Sequence, residues 1–356
     1  MKIKKLTVVL SLTFLIAMTS AGSAMAQILP DTTWYRYESP EQAGFSSEAI
    51  AEAKAFADSL GSKAVMLIHD GAIVTEWGNT AELAPVASIR KSMFSALIGI
   101  AADQGVIDTS TTIGELGITD STPLTELEKR ATVRDLLTSS SGVYLPASGE
   151  GPGNNKPPRG SSEPGEQWFY NNWDFNVLAS IYEQETGMGM YQALEQKLAD
   201  PLQMEDYDLS CGSYRYQPHR SEHPSFHLWM TARDMARFGL LYLNEGRWDG
   251  EQIVPKSWVE ESRRNLIDVP YDPVAGFGLS WWVPAGRLSE YDAYLAAGAG
   301  SQVITIIPEL DMVYVQRASA ILERGVDGLQ SRDIFFKLLE AKVGEAVENP
   351  TYVAVE

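Results

Sequence analysis

The order of hydrophobic patterns along the chain limits its possible folds more than any other feature. β-rich runs stand near both ends, and helical periodicity fills the middle. Early in the chain, residues 63–69 and 72–77 flank Asp70-Gly71, which predicts a hairpin. Late in the chain, residues 277–283, 292–297, 302–307 and 312–316 read as strands, with 308–311 turning between the last two. Between these ends, three stretches have helical periodicity and recognisable stops or starts. Residues 88–104 end at Gly105, residues 173–186 end at Gly187, and Thr231-Ala232-Arg233-Asp234 opens a helix reaching about Asn244. A capped helix over 49–60 precedes the hairpin, and an amphipathic helix over about 328–347 closes the chain. This order predicts an α+β fold: one antiparallel sheet built from both chain ends, flanked by helices, with a helical region over about 88–265 inserted. A site is expected between sheet and insertion. Residues 139–167, dense in Ser, Gly, Pro and Asn, predict a long functional loop there.

That core has to hold the fold alone. Cys211 is the only cysteine among 356 residues, so no intramolecular disulfide is possible, while 44% hydrophobic residues suffice for a large core. With 28 Lys+Arg against 47 Asp+Glu, the formal charge is −19, which argues against nucleic acid as a partner. The start of the chain reads as a secretory signal peptide over 1–26. Met1-Lys2-Ile3-Lys4-Lys5 is basic, residues 6–18 are apolar, and Ala24-Met25-Ala26 is a cleavage pattern. The apolar stretch is shorter than the roughly 20 residues of a spanning helix. The expectation is therefore an exported, periplasmic or secreted domain over 27–356, with no stable membrane anchor once the signal is removed. Cys211 lies far from the cleavage pattern, so N-terminal lipidation at a cysteine is not expected.

Several chemistries can be weighed by motif. His219, His223 and His227 recur at intervals of four, but Pro218 and Pro224 interrupt any helix and no His-Glu-x-x-His is present; no metal is expected. Neither a Gly-x-Ser-x-Gly elbow nor a phosphate-binding Gly-x-x-x-x-Gly-Lys-Ser/Thr loop occurs. Ser88-Ile89-Arg90-Lys91 is the only Ser-x-x-Lys. About one such match arises by chance in a chain of this composition, so its context decides its weight. Ser88 stands at the head of an apolar helix, and the i,i+3 spacing stacks Lys91 beneath it. Helix N–H groups there favour an oxyanion, and a buried ammonium loses its proton more easily. A helix cap is the alternative role for Ser88. Tyr170 and Asn172 lie at a loop-to-helix junction, where a tyrosine held near a lysine can take a serine proton. As the alternative, Tyr170 anchors an aromatic wall. A second Tyr-x-Asn, at Tyr242 and Asn244, sits within a helical pattern and reads as packing.

The ordered pair of Ser88-x-x-Lys91 and Tyr170-x-Asn172 resembles the serine β-lactamase-related hydrolases of the class C type, including penicillin-binding esterases and 6-aminohexanoate-oligomer hydrolases. Segments 133–142, 164–173, 231–243 and 253–259 are similar to that family too, so the resemblance covers nearly all of the chain after the leader. It implies the β-lactamase/transpeptidase-like fold, with Ser88 the acylated nucleophile, Lys91 and Tyr170 sharing the proton transfers, and Asn172 orienting the acyl side of the substrate. The family's third motif, Lys-Thr-Gly or His-x-Gly, falls at residues 295–302, which here read Leu-Ala-Ala-Gly-Ala-Gly-Ser-Gln. No cation for a β-lactam carboxylate is present in it. Gly298, Ala299 and Gly300 permit close backbone approach, and an N–H near Ala299 is expected to complete an oxyanion hole with that of Ser88.

The expected function is an exported serine hydrolase acting on carboxylic esters or small amides rather than an efficient β-lactamase, with no cofactor. A D-amino peptidase or carboxypeptidase on cell-wall peptides is an alternative. Another is a non-catalytic receptor for peptides or cell-wall fragments. Trp168, Trp173, Trp281 and Trp282 are candidates either for an acyl-pocket wall or for core.

Overall fold

The computed structural model describes residues 28–151, 155–270, 273–318 and 328–355. The expected leader over 1–26 lies outside them.

Hairpin strands Ala64–His69 and Ala72–Gly78 pair antiparallel around Asp70-Gly71, as the pattern predicts. The first is buried from Ala64 to Ile68, the near-continuous apolar run of a strand covered on both faces. Its residues divide by parity. Val65 and Leu67 join a core with Tyr314, Ile334 and Phe335, whereas Met66 and Ile68 join the larger core with Ile304, Val313 and helix residues Met235 and Phe238. Helices Ser47–Leu60 and Gly328–Glu340 cover the first face, and helix Ala232–Leu243 covers the second. The last of these lies so close to the sheet that a Cβ on Gly239 would stand 2.5 Å from Val313 Cγ1.

Among the described residues the main sheet has ten strands. Across it they run Tyr352–Val355, Trp34–Tyr37, Ala72–Gly78, Ala64–His69, Met312–Arg317, Gln302–Ile307, Tyr294–Gly298, Trp282–Pro284, Val274–Phe277 and Ile267–Asp268. Strands from both chain ends thus share one α+β sheet, with helices Ile89–Asp103, Asn172–Thr186 and Ala232–Leu243 coming between them in the chain.

Four details depart from the expected pattern. Trp34–Tyr37 pairs parallel to Ala72–Gly78, so the sheet is mixed rather than wholly antiparallel. The run over 277–283 is not one strand: it breaks at Gly278–Trp281, with Ser280 at φ +63°. Its turn is pinned by the helix that follows Ser88. Ser92 Oγ donates to the Ser280 carbonyl and Ser95 Oγ to the Leu279 carbonyl, each at 2.7 Å. The closing helix stops at Glu340, and Val343 N and Gly344 N donate instead to Gly44 O. Beyond it, Tyr352–Val355 forms a strand against Trp34–Tyr37 that periodicity did not reveal.

Candidate active site

Ser88 immediately precedes helix Ile89–Asp103, and its side chain makes no capping hydrogen bond. The capping role is therefore not what occupies this hydroxyl. The residue before it, Ala87, is held at φ +49°, a left-handed conformation that costs a non-glycine residue energy and recurs where function requires it. Ser88 is half-buried and the next eleven residues are buried, so the helix enters the core directly behind it.

Lys91 is buried on that helix. Its Nζ donates to Tyr170 Oη at 2.8 Å and to Asn172 Oδ1 at 2.7 Å, and lies over the rings of Tyr170 and Phe175 at 4.1 and 4.3 Å. The Ser88 hydroxyl acts on the Tyr170 phenol as well, favouring its ionised form against burial. Two distant segments thus meet at one site, Lys91 bonding Tyr170 and Asn172 one helical turn beyond Ser88.

Burial tunes both titratable members. Desolvation, aided by the Arg90 charge, drives the Lys91 ammonium well below its ordinary value, against the opposing pull of Glu150 and Asp174. Desolvation raises the Tyr170 phenol, while the Ser88 hydroxyl and the Arg90 charge act the other way. Burial thus favours the uncharged form of each group.

A second network holds the junction carrying Tyr170. Asn171 caps helix Asn172–Thr186, Asn171 N donates to Ser139 Oγ at 2.9 Å, and its Nδ2 donates to Val143 O and Asp174 Oδ1. Asp174 is fully buried and also accepts from Ser141 Oγ at 2.6 Å; burial raises its carboxyl well above the usual range. Lys156, from the long loop, pairs with Glu150 at 3.2 Å and reaches Asn171 Oδ1.

The opposite wall comes from strand Tyr294–Gly298. An ideal Cβ on Gly298 would lie 2.5 Å from Val86 O and 3.0 Å from both Ala87 Cβ and Ser88 N, so this strand end touches the turn that presents Ser88. Ala299 and Gly300 follow in the turn leading to strand Gln302–Ile307, with Gly300 at φ +77°.

The tryptophans divide between wall and core. Trp282 stacks on Tyr170 at 5.5 Å and 17°, and buried Trp168 touches both rings. Trp173 and Trp281 are fully buried and belong to the core, as does Tyr242 of the second Tyr-x-Asn, packed on Trp281 at 4.5 Å. Behind Trp282 lies an apolar cavity of about 860 Å³, which none of Ser88, Lys91 or Tyr170 lines.

The histidines are engaged elsewhere. His223 contacts Ser180 Oγ and Thr119 O, and His227 contacts Ser225 Oγ. Among the described residues, no cluster of His, Cys, Asp or Glu is fit to hold a metal ion. Burial raises the Cys211 thiol, which suits an inert side chain.

Sequence reasoning gave Arg90 no role. Its signal was visible nonetheless, as a guanidinium directly beside Lys91 at the start of a largely apolar helix.

The model of the beta-lactamase family matches residues 49–318. The chain belongs to that family. Its members are serine hydrolases, and Ser88, Lys91, Tyr170, Asn172, Gly298, Ala299 and Gly300 all fall within the match. An uncharacterized protein of Alkalihalophilus pseudofirmus is 25% identical over 295 residues, covering 71% of this chain and 82% of its own. Three solved structures share the fold. A Bacillus anthracis protein provisionally described as a 6-aminohexanoate-dimer hydrolase superposes with a TM-score of 0.62 at 21% identity, covering 86% of this chain and 89% of that one. A penicillin-binding protein from Bacillus halodurans gives 0.60 at 13%, covering 81% and 99%. A class C beta-lactamase gives 0.60 at 13%, covering 84% and 96%.

Proposed function

We propose that this serine hydrolase acts through an acyl-Ser88 intermediate on carboxylic esters or small amides, outside the cytoplasm and after removal of residues 1–26. The observation that carries the reading is the buried Lys91–Tyr170 hydrogen bond on the helix that Ser88 heads, with the serine hydroxyl not spent on capping that helix. Uncharged Lys91 is the base. As Ser88 Oγ attacks the substrate carbonyl, its proton passes to Tyr170 Oη while the phenol proton passes to Lys91 Nζ. The resulting ammonium returns a proton by the same route to the leaving alcohol or amine. Water then repeats the sequence on the acyl-enzyme and frees the acid.

The backbone N–H of Ser88 and that of Ala299 receive the oxyanion, a role supported by the contact of Gly298 with the Ser88 turn. Asn172 orients the acyl side while its Oδ1 fixes Lys91. The lack of Lys or His over 295–302 supports esters and small amides over β-lactams, whose carboxylate such a cation would bind.

Intact-mass analysis after incubation with a fluorophosphonate tests the mechanism. One adduct is expected on the mature protein and none on Ser88→Ala; equal labelling of both would refute the nucleophile. Turnover of p-nitrophenyl esters, compared with a cephalosporin and a D-Ala-D-Ala peptide, then tests the substrate class.

A further inference from the structure

We propose that Arg90 is a positioning residue for this reaction: its guanidinium fixes the turn that aims Ser88 and supplies a positive charge beside Lys91. The proposal rests on the acyl-Ser88 reading.

Three observations carry it. Arg90 is 9% exposed and, among the described residues, has no carboxylate within ion-pair distance. A buried charge without a counterion is costly, so its retention calls for a compensating role. Secondly, its one hydrogen bond among the described residues runs from Nη1 to Ala87 O at 2.5 Å. Ala87 is the residue forced to φ +49°, and its carbonyl belongs to the peptide unit that continues into Ser88 N. The charged donor thus holds a strained peptide at the point where the chain turns from extended to helical. Thirdly, the guanidinium lies over the Phe226 ring at 5.0 Å, and its Nε has no partner. The ring supports the cation without neutralising it.

The remaining neighbours leave that charge uncompensated. From other elements, Tyr170, Tyr191 and His227 face it; from its own helix, Lys91 does. Burial and the Arg90 charge hold His227 neutral, at about 4. Lys91 itself is faced by Arg90, Glu150, Asp174 and the Tyr170 phenol. Glu150, and Asp174 when ionised, favour its ammonium, and Arg90 is the charge that opposes them. Lys91 is the base only when it has lost its proton, so Arg90 extends the active range toward acid.

The test is the pH dependence of fluorophosphonate labelling in wild type, Arg90→Met, Arg90→Gln and Arg90→Lys, with each variant's thermal transition recorded. Removing the charge in Arg90→Met is expected to move the acid limb upward by about one pH unit. Losing the bond to Ala87 lowers the plateau rate about tenfold. Arg90→Gln shifts the limb equally and covers the case in which methionine does not fold. Arg90→Lys keeps the limb where wild type has it. A purely structural role would lower stability and plateau while leaving the limb in place. An unmoved limb in a folded neutral variant, or an equal shift in Arg90→Lys, overturns the proposal. Absence of labelling in wild type would instead refute the acyl-Ser88 reading and the proposal with it.

Discussion

Replacing Gly298 by alanine adds a single methyl group at the point where the sheet touches the Ser88 turn. The new Cβ would stand 2.5 Å from Val86 O, where ordinary contact begins at 3.4 Å, and 3.0 Å from Ala87 Cβ and Ser88 N. Relief therefore takes a separation of roughly 0.9 Å between strand and turn, because the obstructing atoms are mostly backbone and no side-chain rotation removes them. Overpacking of this kind costs about 1–3 kcal/mol of stability. The effect on catalysis is larger than that on folding. A displacement near 1 Å at reacting groups costs on the order of 100-fold in rate, and the strand carries the proposed second oxyanion donor at Ala299. Gly298→Ala should thus remain folded, melt a few degrees lower, and lose about two orders of magnitude in kcat for a p-nitrophenyl ester. Retention of activity within threefold by Gly298→Ala would show that the strand end does not set the geometry of Ser88.

Two further outcomes follow from buried carboxyls. Burial and Asp206 raise the Asp234 carboxyl to about 7, so this group holds its proton more tightly in the folded chain than in the unfolded one. Its stabilising contribution is complete below the unfolded value near 3.8 and is lost as pH rises through about 7. Thermal melts from pH 4 to 8 should accordingly decline less steeply for Asp234→Asn than for wild type; parallel slopes would contradict the assignment. Ser141→Ala removes a 2.6 Å hydrogen bond to fully buried Asp174. Chemical denaturation should register a loss of about 1–3 kcal/mol, and a neutral effect would mean that the Asp174 network does not hold the Tyr170 junction.

Most of the fold was legible because its signals are local. The Asp70-Gly71 hairpin, the stops at Gly105 and Gly187, and the Thr231 cap all express themselves within a few residues. What escaped was non-local. Strand Tyr352–Val355 has no strong pattern of its own and exists through pairing with Trp34–Tyr37. The run over 277–283 looks continuous because its break comes from two serines on a distant helix. In the site, the spacing of Ser88 and Lys91 and the junction carrying Tyr170 and Asn172 could be read directly, and the structure brings all four together. Arg90 escaped because its meaning depends on the φ of Ala87 and on the absence of a carboxylate, neither of which a motif records.

The seam between the first and last strands has a consequence for how the molecule is made. Trp34–Tyr37 cannot complete its pairing until Tyr352–Val355 has been synthesised, and Ser88 cannot meet Gly298 until the chain has grown far beyond the helical middle. Contacts of such sequence separation form late, since loop closure must precede them. A nascent chain, or one truncated before Gly298, therefore carries Ser88 without the surface that the turn before it meets. On the proposed mechanism, reactivity at Ser88 becomes a report that the chain has grown past Gly298 and closed its sheet.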